Sequence, residues 1–340
     1  MAAVFNSVIS VKEVRRSFRS TKKEDGAKGS FNLLFKPKQV VHEALKGVTF
    51  DLEPGSFNGL IGANGAGKTT LLKILAGLIP PSSGEVSVLG FEPFKRALEY
   101  RRKISLVMGQ KAQLWWDLPA VDAFDLQRAI YEIPRKDYQE RLTLLSELLD
   151  VKRHLHTQIR RLSLGERMKM ELIGAILHWP NVIFLDEPTI GLDVLAAHKL
   201  REFLKIFNQK EKATIILTSH NMEDIERLCS RVMILRNGEM VFDGRPDGLT
   251  KKGERRLRIR LLETPPIAQL CAETGMDAKD IQLDESAGEA ESKVILFQTK
   301  QDQIVSILQK LMAKYQIIDM GIEEPSLESV IQRLYEESPA

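Results

Sequence analysis

The segment Gly62-Ala63-Asn64-Gly65-Ala66-Gly67-Lys68-Thr69 constrains this chain more than any other. It follows an apolar run at 57–61 that reads as a strand, and it leads into a helical pattern over 69–77. Its glycines let the backbone curl until successive N–H groups point inward, and the start of the helix adds partial positive charge. Strand, loop and helix in that order make a cradle for phosphate. Lys68 would reach the β- and γ-phosphates, and Thr69 would ligate Mg²⁺ with Thr70 beside it.

Strand and helix signals alternate from 56 to 247. Strands are expected at 86–89, 105–108, 182–185, 214–218 and 232–235, and helices within 121–177 and at 196–209 and 223–229. This alternation predicts an α/β layered domain around a largely parallel sheet. Val182-Ile183-Phe184-Leu185 is apolar throughout, as a strand covered on both faces must be, and belongs at the sheet centre. It ends in Asp186-Glu187, and ligands of such sheets sit beyond the carboxyl ends of the strands. Asp186 is thereby expected to hold Mg²⁺, directly or through a water, and Glu187 to orient and deprotonate an attacking water.

Ahead of the loop, residues 8–18 alternate as a strand, with a partner at 48–52 after the turn-prone Lys46-Gly47. Between them an insertion at about 19–39, rich in Lys, Gly and Ser, reads as a loop with a short apolar stretch at 31–35. Composition shifts after Gly244-Arg245-Pro246-Asp247-Gly248, and Lys251-Lys252-Gly253-Glu254 reads as a linker. Two domains follow: 1–248, with a helical subdomain at about 111–180, and 249–340. In the second, strands at 256–261, 281–283, 294–298 and 317–322 interleave with helices at 267–274, 302–314 and 327–336, and 284–291 reads as a polar loop. That order predicts a small α+β domain of ferredoxin-like type. No internal repeat is found, which excludes solenoids.

The 340 residues exceed one ordinary domain, and 43% apolar with 28% charged residues excludes a disordered or fibrous chain. The longest apolar stretch, 170–185, is broken by Glu171, His178 and Pro180, so no membrane span is expected. The start of the chain does not read as a secretion signal. Two cysteines, Cys229 and Cys271, make no disulfide framework or metal spacing, which points to the reducing cytosol. A net charge of +3 gives no pull toward nucleic acid, and no nucleic-acid partner is expected.

Ser163-Leu164-Gly165-Glu166 opens a long helical pattern. Ser163 and Glu166 have the spacing of a capping box, and an exposed helix start with Ser and Gly also suits an anion, so two readings stand. Trp115 and Trp116, in Gln113-Leu114-Trp115-Trp116-Asp117, either anchor a partner or fill the helical core. Arg256, Arg258 and Arg260 fall on one strand face, read first as a solvated face and second as a contact for lipid headgroups.

Taken together, the pieces resemble an ATP-binding cassette (ABC) ATPase, a P-loop NTPase fold, over about residues 8–245. The resemblance is carried by GANGAGKT, by Gln110 in LVMGQK, by the signature segment LSLGER at 162–167, by VIFLDEP at 182–188, by Gly191-Leu192-Asp193, and by His220 after the strand at 214–218, in the family's order. It implies that ATP and Mg²⁺ bind at Gly62, Ala63, Asn64, Gly65, Ala66, Gly67, Lys68, Thr69 and Thr70. It further implies that Gln110 senses the metal and couples to the transport partner, that Glu187 and Lys68 serve catalysis, and that His220 contacts the γ-phosphate. Asp193 would communicate across a dimer, while Ser163, Gly165 and Glu166 would face the nucleotide of the opposite subunit. Leu164 and Glu166-Arg167 depart from the commoner LSGGQ, but Ser163 and Gly165 remain. An aromatic stacks on adenine in this family; Phe18 holds the usual position and Phe35 is its rival.

The resemblance implies a homodimer, or a heterodimer with a related cassette, on integral membrane permease subunits at the cytoplasmic side of the cell membrane. The tail Glu323-Glu324-Pro325-Ser326-Leu327-Glu328 is similar to the C-terminal ending of drug-resistance and sodium-export cassettes, and the insertion to that of polysaccharide exporters. An ABC-2 type exporter is the expectation. The alternative is a soluble cassette ATPase acting on ribosomes or DNA, although neither a second ATPase domain nor an intervening coiled coil is present.

Overall fold

The structure is a computed structural model and describes residues 7–21, 39–109, 112–249, 254–284, 293–324, 327 and 329–331. β1 (Ile9–Thr21) pairs antiparallel with β2 (Gln39–Leu52) and β4 (Ser83–Val88) in a sheet of order β2-β1-β4. The pairing is longer than the sequence indicated. Thr21 lies opposite Gln39, so paired strand flanks the expected insertion, whose residues 22–38 lie outside the described ones. Lys46-Gly47 is not a turn but part of a bulge. Gly47 (φ +95°) and Glu13 (φ +48°) accompany register shifts between Val11 and Arg15. Turns and bulges both call on left-handed backbone, so the local signal is the same for either.

The main sheet contains β3 (Phe57–Ile61), β5 (Ile104–Met108), β6 (Val182–Asp186), β7 (Thr214–Thr218), β8 (Arg231–Arg236) and β9 (Glu239–Gly244), in the order β5-β6-β7-β3-β8-β9. All neighbours run parallel except β8 and β9. β9 went unread in the sequence because its residues alternate between exposed and half-buried, with no fully buried row. The signal that finds it is Asn237-Gly238, both at positive φ, the chemistry of a tight hairpin. β3 and β7 are buried along their whole length and β6 nearly so, as central strands must be.

α1 (Lys68–Leu75) is held between the two sheets. Its Leu71, Leu72, Ile74 and Leu75 share one core with Val11, Leu52 and Val88 of the antiparallel sheet and with Leu60, Phe184, Ile216 and Met233 of the parallel one. At about 1.5–3 kcal/mol per buried aliphatic side chain, this anchors the start of the helix against both layers. The helical subdomain comprises α3 (Ala120–Ile130), α4 (Arg135–Leu148) and α5 (Leu164–Ile176), preceded by the short α2 (Leu98–Lys103). α6 (Val194–Glu211) and α7 (Met222–Leu228) complete the unit. Among the described residues, no helix is long and apolar enough to cross a membrane.

The chain divides into two compact units, Met1–Arg245 and Pro246–Ala340. The second has β10 (Glu254–Leu261), α8 (Ile267–Thr274), β11 (Ile281–Asp284), β12 (Val294–Lys300), α9 (Ile304–Met312) and β13 (Ile317–Glu323). Its antiparallel sheet has the order β11-β12-β10-β13, the ferredoxin-like βαββαβ arrangement. Leu257, Ile259 and Leu261 pack with Leu270, Phe297 and Ile307. Arg258 pairs with Asp319 at 2.8 Å and with Glu323 at 3.6 Å, while Arg256 and Arg260 beside it are half-buried with Nε atoms that make no hydrogen bond, so among the described residues only the middle arginine of the row is ion-paired on this face. Residues 250–253, 285–292 and 332–340, with most of the expected linker, polar loop and last helix, lie outside the described residues.

Candidate functional site

The phosphate loop fits its surroundings only with glycine at two positions. Gly67 caps α1 at φ +109°, and a Cβ there would lie 2.5 Å from the Ala44 carbonyl oxygen; at Gly62 it would lie 2.6 Å from that of Leu235. A Cβ at Gly65 would meet nothing within 4 Å, and there the backbone conformation, φ +83°, is what favours glycine. The loop from Ala63 to Thr70 borders a cavity of about 220 Å³ together with Phe18, His42, Ala44 and Glu187. The Lys68 Nζ donates to the carbonyls of Gly62 (2.6 Å) and Ala63 (3.2 Å). Burial lowers the Lys68 pKa, opposed by the charges of Glu187 and Asp186. A lysine ammonium held at a glycine-rich loop that opens a helix has the chemistry to hold an anion of several charges.

β6 delivers the two carboxylates. Asp186 Oδ2 accepts from the Thr69 hydroxyl at 2.8 Å, and Oδ1 accepts from the Thr218 hydroxyl at 2.7 Å. Glu187 follows at φ +55°, its N–H donating to the carbonyl (3.1 Å) and hydroxyl (3.0 Å) of Thr218. That conformation turns the Glu187 side chain out of the strand and into the cavity wall, where Oε1 lies 2.8 Å from Nε2 of His220. The Gly109 N–H donates to the Asp186 carbonyl at 2.8 Å. A Cβ at Gly109 would lie 2.1 Å from the Glu187 carbonyl oxygen, so only glycine brings the end of β5 this close. Gln110, the next residue, lies outside the described residues, as does Phe35.

Several contributors escaped the sequence reading. Thr218 bridges both carboxylate residues, and its only signal is a polar residue ending an apolar strand. Asp224 is fully buried and accepts from Ser219 (2.5 Å), Thr189 (2.6 Å) and Arg201 (2.8 Å), which fastens the turn that carries His220. Arg201 lies mid-helix in α6 and no local pattern marks it. His42 is the cross-strand partner of Phe18 and borders the same cavity. Phe18 is 37% exposed, with the Arg16 guanidinium 4.7 Å from its ring centre.

The signature segment lies elsewhere. Ser163 and Glu166 form a reciprocal capping box, and Glu166 also meets His154 at 3.0 Å. The Ser163 backbone N–H, first among the groups around it, holds the Glu166 carboxyl below the usual carboxylate range. Asp193 caps α6 by accepting from Ala196 N–H at 2.8 Å, and a Cβ at Gly165 would touch Ala196 at 3.4 Å. Leu164, the unusual signature residue, packs toward Gly191, which is at φ +71°. Among the described residues, Ser163, Gly165, Glu166 and Asp193 do not border the phosphate-loop cavity. Trp115 and Trp116 are 53% and 49% exposed, while Leu114 between them and the helices takes the core position at 4%.

Residues 45–190 match the family described as ABC transporter. The chain is 32% identical over 215 residues to the ABC transporter ATP-binding protein NatA of Bacillus subtilis, covering 63% of this chain and 87% of that protein. It is 26% identical over 294 residues to the linearmycin resistance ATP-binding protein LnrL of the same organism, covering 85% and 93%. To the Nod factor export ATP-binding protein I of Cupriavidus metallidurans it is 33% identical over 208 residues, covering 61% and 68%. Among solved structures, an ATP-binding subunit of an ABC transporter superposes with a TM-score of 0.59 at 27% identity, over 72% of this chain and 92% of that one.

Proposed function

This chain belongs to the ABC transporter family as an ATP-binding ATPase, and from that premise we propose that it is the energy-supplying subunit of an ABC-2 type exporter. In this reading it works as a homodimer, or a heterodimer with a related cassette, on separate permease subunits at the cytoplasmic face of the membrane. The observation that carries the dimer is the separation of the signature residues from the phosphate-loop cavity. Ser163 and Gly165 present a helix start that has no phosphate to meet within one copy, and a second copy supplies one. Export is supported by relatives whose names specify linearmycin resistance and Nod factor export.

The residues divide the work as follows. Loop amides from Gly62 to Thr70 and the Lys68 ammonium hold the phosphates, and Phe18 stacks on adenine. Glu187 takes the proton of a water attacking the γ-phosphorus as the bond to the bridging oxygen breaks, giving ADP and phosphate. His220, 2.8 Å from Glu187, orients it and contacts the γ-phosphate. A hydroxyl and a carboxylate in contact at the end of β6 are hard oxygen donors of the kind Mg²⁺ takes, and Thr69, Asp186 and Gln110 would hold it. Such an ion would supply positive charge against the phosphates held by the loop. Trp115 and Trp116 offer an aromatic surface for the permease.

The test is recovery of a tagged full-length chain from membranes solubilised in mild detergent. A multispanning protein is expected in the eluate, and Trp115→Ala with Trp116→Ala should release it while ATPase activity persists. Recovery of ribosomes, DNA or soluble partners alone overturns the transport reading and leaves the ATPase standing.

A further inference from the structure

Arg167, Glu171 and Gly174 stand at i, i+4 and i+7 of α5, one stripe of the helix whose first turn carries the signature residues. All three meet the segment that follows Gln110. The Glu171 carboxylate is 4% exposed and accepts from the backbone N–H groups of Gln113 (3.1 Å to each oxygen) and Leu114 (3.1 and 3.3 Å). The Arg167 guanidinium lies 5.3 Å from the ring centre of Trp116. At Gly174 a Cβ would come within 2.9 Å of Leu114 Cδ2, so the bare backbone there leaves room for Leu114 to seat against the helix.

In the sequence Glu171 only interrupts an apolar run, Met170 and Leu172-Ile173, whose members are all buried. A leucine at 171 would pack there without the desolvation that a buried carboxylate suffers. That burial raises the Glu171 pKa, against the two amides and Arg167. What the carboxylate adds, and an aliphatic side chain does not, is a directional hold on two consecutive backbone amides.

We propose that Glu171 is a positioning residue that clasps residues 113 and 114 onto α5, so that the signature end of the helix and the exposed Trp115-Trp116 surface that follows them move as one body. ATP engaged at the Ser163 end is thereby reported at the surface proposed to meet the permease. The inference rests on that reading of the tryptophan surface. Its test uses only the isolated chain, so the clasp and the permease contact fail separately.

The experiment follows tryptophan emission of the full chain in a Trp179→Phe background, where Trp115 and Trp116 remain, with and without ATP and Mg²⁺. Glu171→Leu keeps the bulk and removes the acceptors; Glu171→Gln keeps one oxygen that accepts. The ATP-dependent emission change should appear in the parent, vanish in Glu171→Leu and return in Glu171→Gln, with basal ATPase within about twofold in both. Amide exchange at 113 and 114 should quicken roughly tenfold in Glu171→Leu, as expected for loss of one hydrogen-bonded hold. If Glu171→Leu fails to fold, Arg167→Ala, half-buried on the same stripe against Trp116, should weaken the emission change instead. A parent without an ATP response, a Glu171→Leu chain or its Arg167→Ala substitute that responds like the parent, or ATPase that collapses along with the response, overturns the proposal.

Discussion

The Thr69 hydroxyl donates to Asp186 Oδ2 at 2.8 Å across 117 residues of chain, and the other oxygen of the same carboxylate accepts from Thr218. One carboxylate therefore joins the start of α1 to the ends of β6 and β7. Asp186→Asn replaces one acceptor with an N–H₂ that faces a hydroxyl. ATP turnover should fall, with the Mg²⁺ requirement rising about 10–100-fold, measured by titrating Mg²⁺ at saturating ATP. An unchanged Mg²⁺ dependence removes Asp186 from the metal site.

Glu187 meets His220 at the cavity wall, and the proposed mechanism makes it the base. Glu187→Gln keeps the shape and loses the proton acceptor. Turnover should fall about 10²–10⁴-fold while ATP binding persists, and an ATP-dependent dimer should accumulate in size-exclusion chromatography. Normal turnover would falsify the assignment.

The Phe18 ring is half exposed beside the phosphate loop, backed by Arg16 and paired across the strands with His42. Phe18→Ala should weaken ATP binding by roughly 1–3 kcal/mol in calorimetric titration. Unchanged affinity in Phe18→Ala, together with weakened binding in Phe35→Ala, would move the stacking role to Phe35.

His178 stacks on Tyr131 with ring centres 3.9 Å apart and pairs through Nε2 with the Ile104 carbonyl at 3.0 Å. Burial, the largest cause, holds its pKa at about 4; the hydrogen bond to Ile104 opposes this and the Arg141 charge adds to it. The native state thus keeps His178 neutral where the unfolded chain protonates it. The sign follows: stability is full above the unfolded value of 6.5 and is lost as pH falls toward 4. Between pH 7 and 5 the loss from this residue is about 2 kcal/mol. Urea denaturation of His178→Gln, whose amide still donates to Ile104, should show a flatter dependence over that window. A slope equal to that of the parent would sink the prediction.

Much of the fold is legible because its signals are local. The phosphate loop announces itself by glycines that the backbone requires, and β6 by an unbroken apolar run between two covered faces. The C-terminal βαββαβ order follows from the same periodicities. Where one local signal serves two structures the sequence does not decide: Lys46-Gly47, read as a turn, is part of a bulge, and the two tryptophans, which suit a core and a surface, stay open between them. For Trp115 and Trp116 the choice is made by Leu114, which fills the space against α5 and leaves the rings outside.

The sequence by itself determined the ABC cassette, the phosphate loop and the carboxylates, since each is written in contiguous residues whose chemistry depends on immediate neighbours. The tertiary structure alone decided which distant groups complete them: Thr218 on Asp186, Asp224 behind His220, Glu171 on the amides of 113 and 114. These contacts depend on the strand order β5-β6-β7-β3, in which strands far apart in the chain become neighbours through crossovers. No local periodicity encodes that order; it follows from burying both faces of the sheet at once, a property of the whole packed chain.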